Sequence, residues 1–174
     1  MDDMFFAVGA DIPLGRFNAP RIEAELVFVL AKPLRGPSVT LAEVLDATAF
    51  VRPAIEIIDS RLEAVDAQTK GSRNVIDHVA DFAACAGIIV GGAAMRPAQL
   101  DLRRVGAILS RNGVIEETGL AAAVLDHPGN AVAWLAHRLA ADGRQIDAGV
   151  PVLAGAFTRP IAAGDVFDVG GIHR

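Results

Sequence analysis

The 174-residue chain has one cysteine, two lysines and no long apolar run, and each shortage removes a class of function. A lone thiol, Cys85 in Asp81-Phe-Ala-Ala-Cys-Ala86, can form neither an internal disulfide nor a multi-thiolate metal site, and with no activating base nearby in sequence it reads as small core filling. Lys32 and Lys70 are the only lysines, the arginines are scattered and the formal net charge is −5, so no basic stripe for nucleic-acid phosphates exists. No apolar stretch approaches the roughly 20 residues that span a bilayer. The N-terminus has no basic segment followed by an apolar core and cleavage site, which predicts a cytoplasmic protein without membrane partners. Gly91 and Gly92 fall in neither a G-x-G-x-x-G nor a P-loop arrangement, so a nucleotide site is not indicated.

What is present is enough apolar residue for a sizeable core, 52% against 21% charged, in a length that predicts one domain. The first twenty residues, with Gly9, Pro13, Gly15 and Pro20, read as an irregular segment that packs through Met4-Phe-Phe-Ala7. A strand is predicted over 22–30. Thr40 and Glu43 have capping-box spacing for a helix through about Ala47, and a second strand follows at about 50–58. Residues 61–74 read as a polar loop. Val75, Val79 and Ala83 recur at helical spacing and predict a helix ending near Gly87, followed by a buried strand to Gly92. Asn112-Gly113 predicts a hairpin between Val105–Leu109 and Val114–Glu117. A helix over 130–141 takes Asn130 as cap, Gly143 as stop and Trp134 as a core anchor. Strands at Val152–Phe157 and Val166–Val169 complete an α+β or β-rich mixed pattern rather than a doubly wound one.

The chemistry concentrates in three acids. Glu23 and Glu25 lie two apart in Arg21-Ile-Glu-Ala-Glu-Leu-Val-Phe-Val-Leu30, so a strand projects both to one face, with Val27 and Val29 continuing it. Glu56 sits in Ala54-Ile-Glu-Ile-Ile58, where both faces of the strand are apolar and a lone ionised acid is costly. A shared cation relieves the repulsion, and an all-oxygen set suits Mg²⁺ or Mn²⁺ rather than zinc. The competing reading of Glu23 and Glu25 is an exposed strand end with two solvated acids paired to Arg21. Asp59 is an odd number of residues from Glu56 and points the other way, toward an ion pair or a turn, with Arg61 as a candidate partner. Asp77 and Asp81 share a helix face, either as solvated surface or to meet a metal or substrate. His127, before Pro128, is a turn histidine or a general acid–base. His78, His137 and His173 have no zinc spacing and are assigned to the surface.

Pro20-Arg-Ile-Glu-Ala-Glu-Leu-Val-Phe-Val-Leu30 and Pro53-Ala-Ile-Glu-Ile-Ile-Asp-Ser-Arg61 resemble the metal-binding strands of the fumarylacetoacetate hydrolase superfamily. Asn112-Gly-Val-Ile-Glu-Glu-Thr-Gly119, Val124-Leu-Asp-His-Pro-Gly-Asn-Ala-Val-Ala-Trp-Leu-Ala136 and Gly155-Ala-Phe-Thr-Arg-Pro160 are similar to its hydratase branch. The resemblance implies a mixed β-roll or barrel-like sheet with a few flanking helices, and Mg²⁺ or Mn²⁺ held by Glu23, Glu25 and Glu56. It implies hydration of a 2-oxo-alkenedioate of aromatic catabolism, with decarboxylation or C–C hydrolysis of a related 2-oxo acid as the alternative. It also implies a homo-oligomer. The stretch from Arg73 through Asp77 to Asp81 resembles the family's active-site R-x-V-x-D-x-x-x-D-N, which makes Asp77 and Asp81 candidate catalytic residues. Phe82 stands where relatives have Asn, Ala156 where they have Ser, and Asn74 where they have Lys. Family members also carry a segment ahead of the position of Asp2 that holds the lysine and acid assigned to proton transfer, and longer closing strands than Gly164–Gly171. These departures raise a further alternative, a non-catalytic subunit assembling with a full-length relative.

Overall fold

The computed structural model describes residues 2–163 and the backbone of 167–170. Its centre is an antiparallel pair, β2 (Arg21–Leu30) and β3 (Thr48–Ile58), in a sheet ordered β1-β4-β3-β2-β7 with β8 also on β2. Here β1 is Phe5–Phe6, β4 Cys85–Val90, β7 Pro151–Leu153 and β8 Ile161–Ala162. Among the described residues only β1 and β4 pair in parallel, which makes the sheet mixed. A second sheet joins β5 (Gly106–Arg111) to β6 (Val114–Leu120) on one side and β9 (Phe167–Gly170) on the other. The α+β mixed fold expected from the sequence is the one formed. Among the described residues no helix is long and apolar enough to cross a membrane.

Alternation along β2 separates two environments. Ala24, Leu26, Phe28 and Leu30 enter the main core, where they meet Val44, Val51, Val132 and Ala136. Two helices cover that face: α1 (Leu41–Ala47), closed by the reciprocal Thr40–Glu43 box, and α3 (Pro128–Ala140). The odd-numbered face carries Glu23, Glu25 and Val27. Burying the Phe28 side chain completely contributes about 1.5–3 kcal/mol, so the core face fixes strand register and thereby places the acids.

Several sequence expectations change in detail. The N-terminal segment is not wholly irregular, because Phe5–Phe6 adds a short parallel strand to β4. The helix predicted from Val75 toward Gly87 is only α2, Val75–Ala80. It stops because Phe82, Ala83 and Ala84 adopt left-handed φ values of 53°, 53° and 65°, and β4 therefore begins at Cys85, earlier than expected. Its apolar spacing does not mark a buried face: Val75, Ile76 and Val79 are 74%, 75% and 68% exposed.

Trp134 is 60% exposed and is no core anchor, since α3 buries the small stripe Gly129, Val132, Ala133 and Ala136, which lets the helix lie close to the sheet. Asn130 does not cap α3. His127 does, its Nδ1 accepting from Gly129 N–H at 3.0 Å, while the Asn130 amide donates to the Leu125 carbonyl at 2.8 Å. Gly143, at φ 69°, ends the helix as expected.

The hairpin turns on Asn112 and Gly113, both at positive φ, with a register shift at Leu109/Ser110. The strand expected over 152–157 pairs only as β7, because Gly155 at φ 109° breaks it. The chain nevertheless keeps following β2, with Ala154 N–H donating to the Leu26 carbonyl, Phe157 N–H to the Ala24 carbonyl, and Ala24 N–H to Thr158 Oγ1. β6 lies directly against this segment: a side-chain carbon on Gly119 would fall 1.7 Å from the Phe157 carbonyl oxygen. Val166, His173 and the ends of the Gly164–Gly171 stretch lie outside the described residues.

Candidate metal centre

Antiparallel register brings the acids together. Glu23 lies directly opposite Glu56, and Glu25 is opposite Ala54, so all three side chains leave the sheet on one face. One carboxylate oxygen from each lies within 4.8 Å of the other two. Glu25 is buried at 3% exposure, whereas Glu23 and Glu56 are half-buried.

The electrostatics follow from that crowding. Burial, and then the neighbouring Glu56 charge, push the Glu25 carboxyl up to about 8, against the pull of the Gly155 N–H. That N–H donates to Glu25 Oε2 at 2.8 Å. Burial and Glu56 likewise raise Glu23, with the Arg21 charge opposing them. Like charges sharing a partly desolvated space need a cation or protons. Three convergent carboxylates, one of them anchored by a backbone donor, form an all-oxygen donor set that fits a hard dication.

The other candidates are engaged elsewhere. Asp77 accepts from Asn74 N–H at 2.9 Å and closes the N-terminus of α2. Asp81 is buried and takes the Arg61 main-chain N–H at 3.0 Å and the Arg61 Nε at 2.5 Å. Burial acts to raise its carboxyl, and the Arg61 donors outweigh that and hold it below the ordinary value. Neither aspartate joins the cluster of three.

Arg61 is therefore the partner of Asp81 and not of Asp59. Asp59 takes the turn role, accepting the N–H groups of Asn18 at 2.8 Å and Ala19 at 2.7 Å just ahead of β2. His127 is buried as a helix cap, and that burial holds its imidazole below the ordinary value. His78 is exposed, and His137 lies on the surface with Nε2 2.7 Å from the Val39 carbonyl.

Two residues of the site escaped the sequence reading. Gly155 was visible only as the start of the Gly155–Pro160 motif; its role needs the 130-residue separation from Glu25 to be closed. Cys85 is not core filling. It is half-buried and opposite Ile58, which puts it on the face of Glu56. Burial, then Glu56, push its thiol up to about 12, the opposite direction from an activated nucleophile.

No family model matches the chain. It is 56% identical over 171 residues to the 2-oxo-hept-4-ene-1,7-dioate hydratase of Escherichia coli, covering 97% of this chain and 64% of that protein. The solved structure of 4-oxalocrotonate decarboxylase from Pseudomonas putida G7, complexed with magnesium and adipate, superposes with a TM-score of 0.87 at 35% identity, covering 95% of this chain and 61% of that one. Over nearly its whole length the chain is thus similar to a hydratase and to a decarboxylase. A further relative, the 4-oxalocrotonate decarboxylase of Pseudomonas sp. strain CF600, is 41% identical over 165 residues, 92% of this chain and 60% of that protein. The chain thus spans less than two thirds of the length of the curated relatives it matches.

Proposed function

We propose that this chain binds Mg²⁺ or Mn²⁺ through Glu23, Glu25 and Glu56 and serves the hydration of a 2-oxo-alkenedioate of the 2-oxo-hept-4-ene-1,7-dioate type. The observation that carries this is the convergence of three carboxylates within 4.8 Å on one sheet face, one of them buried. The identity to a hydratase supports the reaction, and the magnesium complex of a similar structure supports the ion.

When bound, the ion supplies positive charge that polarises the carboxylate and 2-oxo oxygens of the substrate. The protein's share is positional. The β2–β3 register sets the spacing of the ligands, and the Gly155 N–H orients Glu25. The packed face behind β2 keeps that pair rigid. For Asp77 and Asp81 we propose supporting roles, because each carboxylate already accepts hydrogen bonds from its own surroundings.

Magnesium at one hundred times its dissociation constant should stabilise the fold by about 2.7 kcal/mol, read as a rise in melting temperature, and Glu56→Gln should abolish that rise. A parent protein whose melting temperature ignores Mg²⁺ and Mn²⁺ overturns the assignment. Product analysis separates the chemistries: a 4-hydroxy-2-oxo acid from a 2-hydroxy-2,4-dienoate marks hydration, and carbon dioxide marks the decarboxylation that the two 4-oxalocrotonate decarboxylases make the second reading. Metal binding without turnover, with recovery of activity on adding a full-length relative, would instead mark the subunit role. Sizing of the purified chain tests the expected homo-oligomer.

A further inference from the structure

We propose that Arg21 receives the far carboxylate of the substrate, which makes it the residue that selects a 2-oxo dioate over a 2-oxo monoacid. The proposal rests on reading Glu23, Glu25 and Glu56 as ligands of the cation that takes the substrate's 2-oxo acid end.

The face that carries the acids is closed at one end and open at the other. Glu25 and Ala54 lie opposite each other at 3% exposure, and Val27, the next residue of β2 on that face, is at 0%. A carbon chain whose 2-oxo acid end sits on the acids therefore has no room to run that way. Toward the start of β2 the face opens. Glu23 and Glu56 are half-buried, as are Ile88, Ile58 and Cys85, and Arg21 is exposed. Ile88 pairs with Glu56 and Cys85 with Ile58, so these three side chains give the open end an apolar floor on the acids' own face. Arg21 stands opposite Ile58, two residues from Glu23 and on the same face.

Arg21 is also the cation left uncommitted there. The ion pairs of the described residues engage other arginines and leave Arg21 out, and its guanidinium donates no hydrogen bond. The neighbouring cations are taken. Arg52, opposite Val27 at the closed end, donates Nε and Nη2 to the Gly92 carbonyl at 3.2 and 2.7 Å. Arg61 is held by the Asp81 carboxylate and the Cys85 carbonyl. The spacing suits a dioate. Two strand residues separate Arg21 from Glu23 by about 7 Å. The carboxyl carbons of an extended seven-carbon dioate lie about 7–8 Å apart. A chain anchored at the acids and laid over Ile58 thus brings its far carboxylate within reach of the Arg21 side chain, whose fork matches a carboxylate with two parallel N–H donors.

Two saturated probes of equal length, 2-oxoheptanedioate and 2-oxoheptanoate, differ only in the far carboxylate, and calorimetric titration of the manganese-loaded protein reads their dissociation constants. The parent should bind the dioate about tenfold more tightly, as expected of one charge-assisted contact that stays partly in water. Arg21→Gln should weaken the dioate about tenfold and leave the monoacid unchanged. Manganese affinity of that variant, read from the free-ion paramagnetic resonance signal, should stay at the parent value. Arg21→Lys, which keeps the charge without the fork, should retain part of the preference, and Arg52→Gln all of it. Equal binding of the two probes by the parent, binding of neither, or a preference that survives Arg21→Gln overturns the proposal. Equal weakening of both probes in Arg21→Gln overturns it too, because Arg21 would then act on the 2-oxo acid end. Glu56→Gln keeps the two readings apart. If it loses manganese while the parent shows no preference for the dioate, the ligand set stands and Arg21 falls; if it binds manganese like the parent, the ligand assignment fails and takes Arg21 with it.

Discussion

The β2–β3 pair and the stretch from residue 60 to 84, which follows β3 in the chain, obey opposite rules. In the first, apolar residues are inside: Leu26 and Phe28 are at 1% and 0% exposure, and the acids that face away from them are held by register. In the second, Leu62, Val65, Val75, Ile76, Val79 and Phe82 are all exposed, and polar contacts do the holding, through Arg61, Asp81 and the Asn74–Asp77 box. One region is fixed by burial and the other by directed hydrogen bonds, so substitutions of equal chemical size should have unequal effects.

The largest effect is expected at Phe28. Phe28→Ala should destabilise by about 3–5 kcal/mol, measured by urea denaturation, and a loss below about 1 kcal/mol would break the contrast. Next is the response to pH of the protein stripped of metal by a chelator. Glu25 titrates near 8 in the fold against 4.5 in an open chain, so between those values the folded state binds more proton than the unfolded one. The Glu25 contribution should therefore be full below about pH 4.5, and stability should fall as pH rises from there toward about 8. Glu25→Gln should flatten that slope, and a slope of opposite sign would show that burial does not govern the site. The smallest effect belongs to α2: Val79→Ser should change stability by no more than about 0.5 kcal/mol despite removing an aliphatic side chain, because that side chain is already in water.

The same division explains what could be read in the residues. Glu23, Glu25 and Glu56 were legible because a period of two and an apolar setting are local properties, and antiparallel pairing of the two strands did the rest. The Thr40–Glu43 box and the Asn112-Gly113 turn were legible for the same reason. Trp134 and the Val75–Val79 spacing misled because helical periodicity reports a stripe without saying whether anything covers it. In α3 the covered stripe is the one lined with small residues, and the indole of Trp134 lies off it. Cys85 and Gly155 were invisible because their roles depend on irregular backbone, a shifted register in one case and a broken strand in the other. Asp81 carried a family signature, yet its contacts depend on a left-handed run that no propensity foretells.

Gly119 ties the outlying hairpin to the heart of the molecule. With only a hydrogen at that position, β6 lies flush on the Phe157 carbonyl, two residues beyond the N–H that steadies Glu25. The seam has no room for a methyl group, so the smallest possible insertion would act as a wedge under the strap carrying that donor. Tolerance to change at a surface hairpin is thereby set by a carboxylate on another sheet.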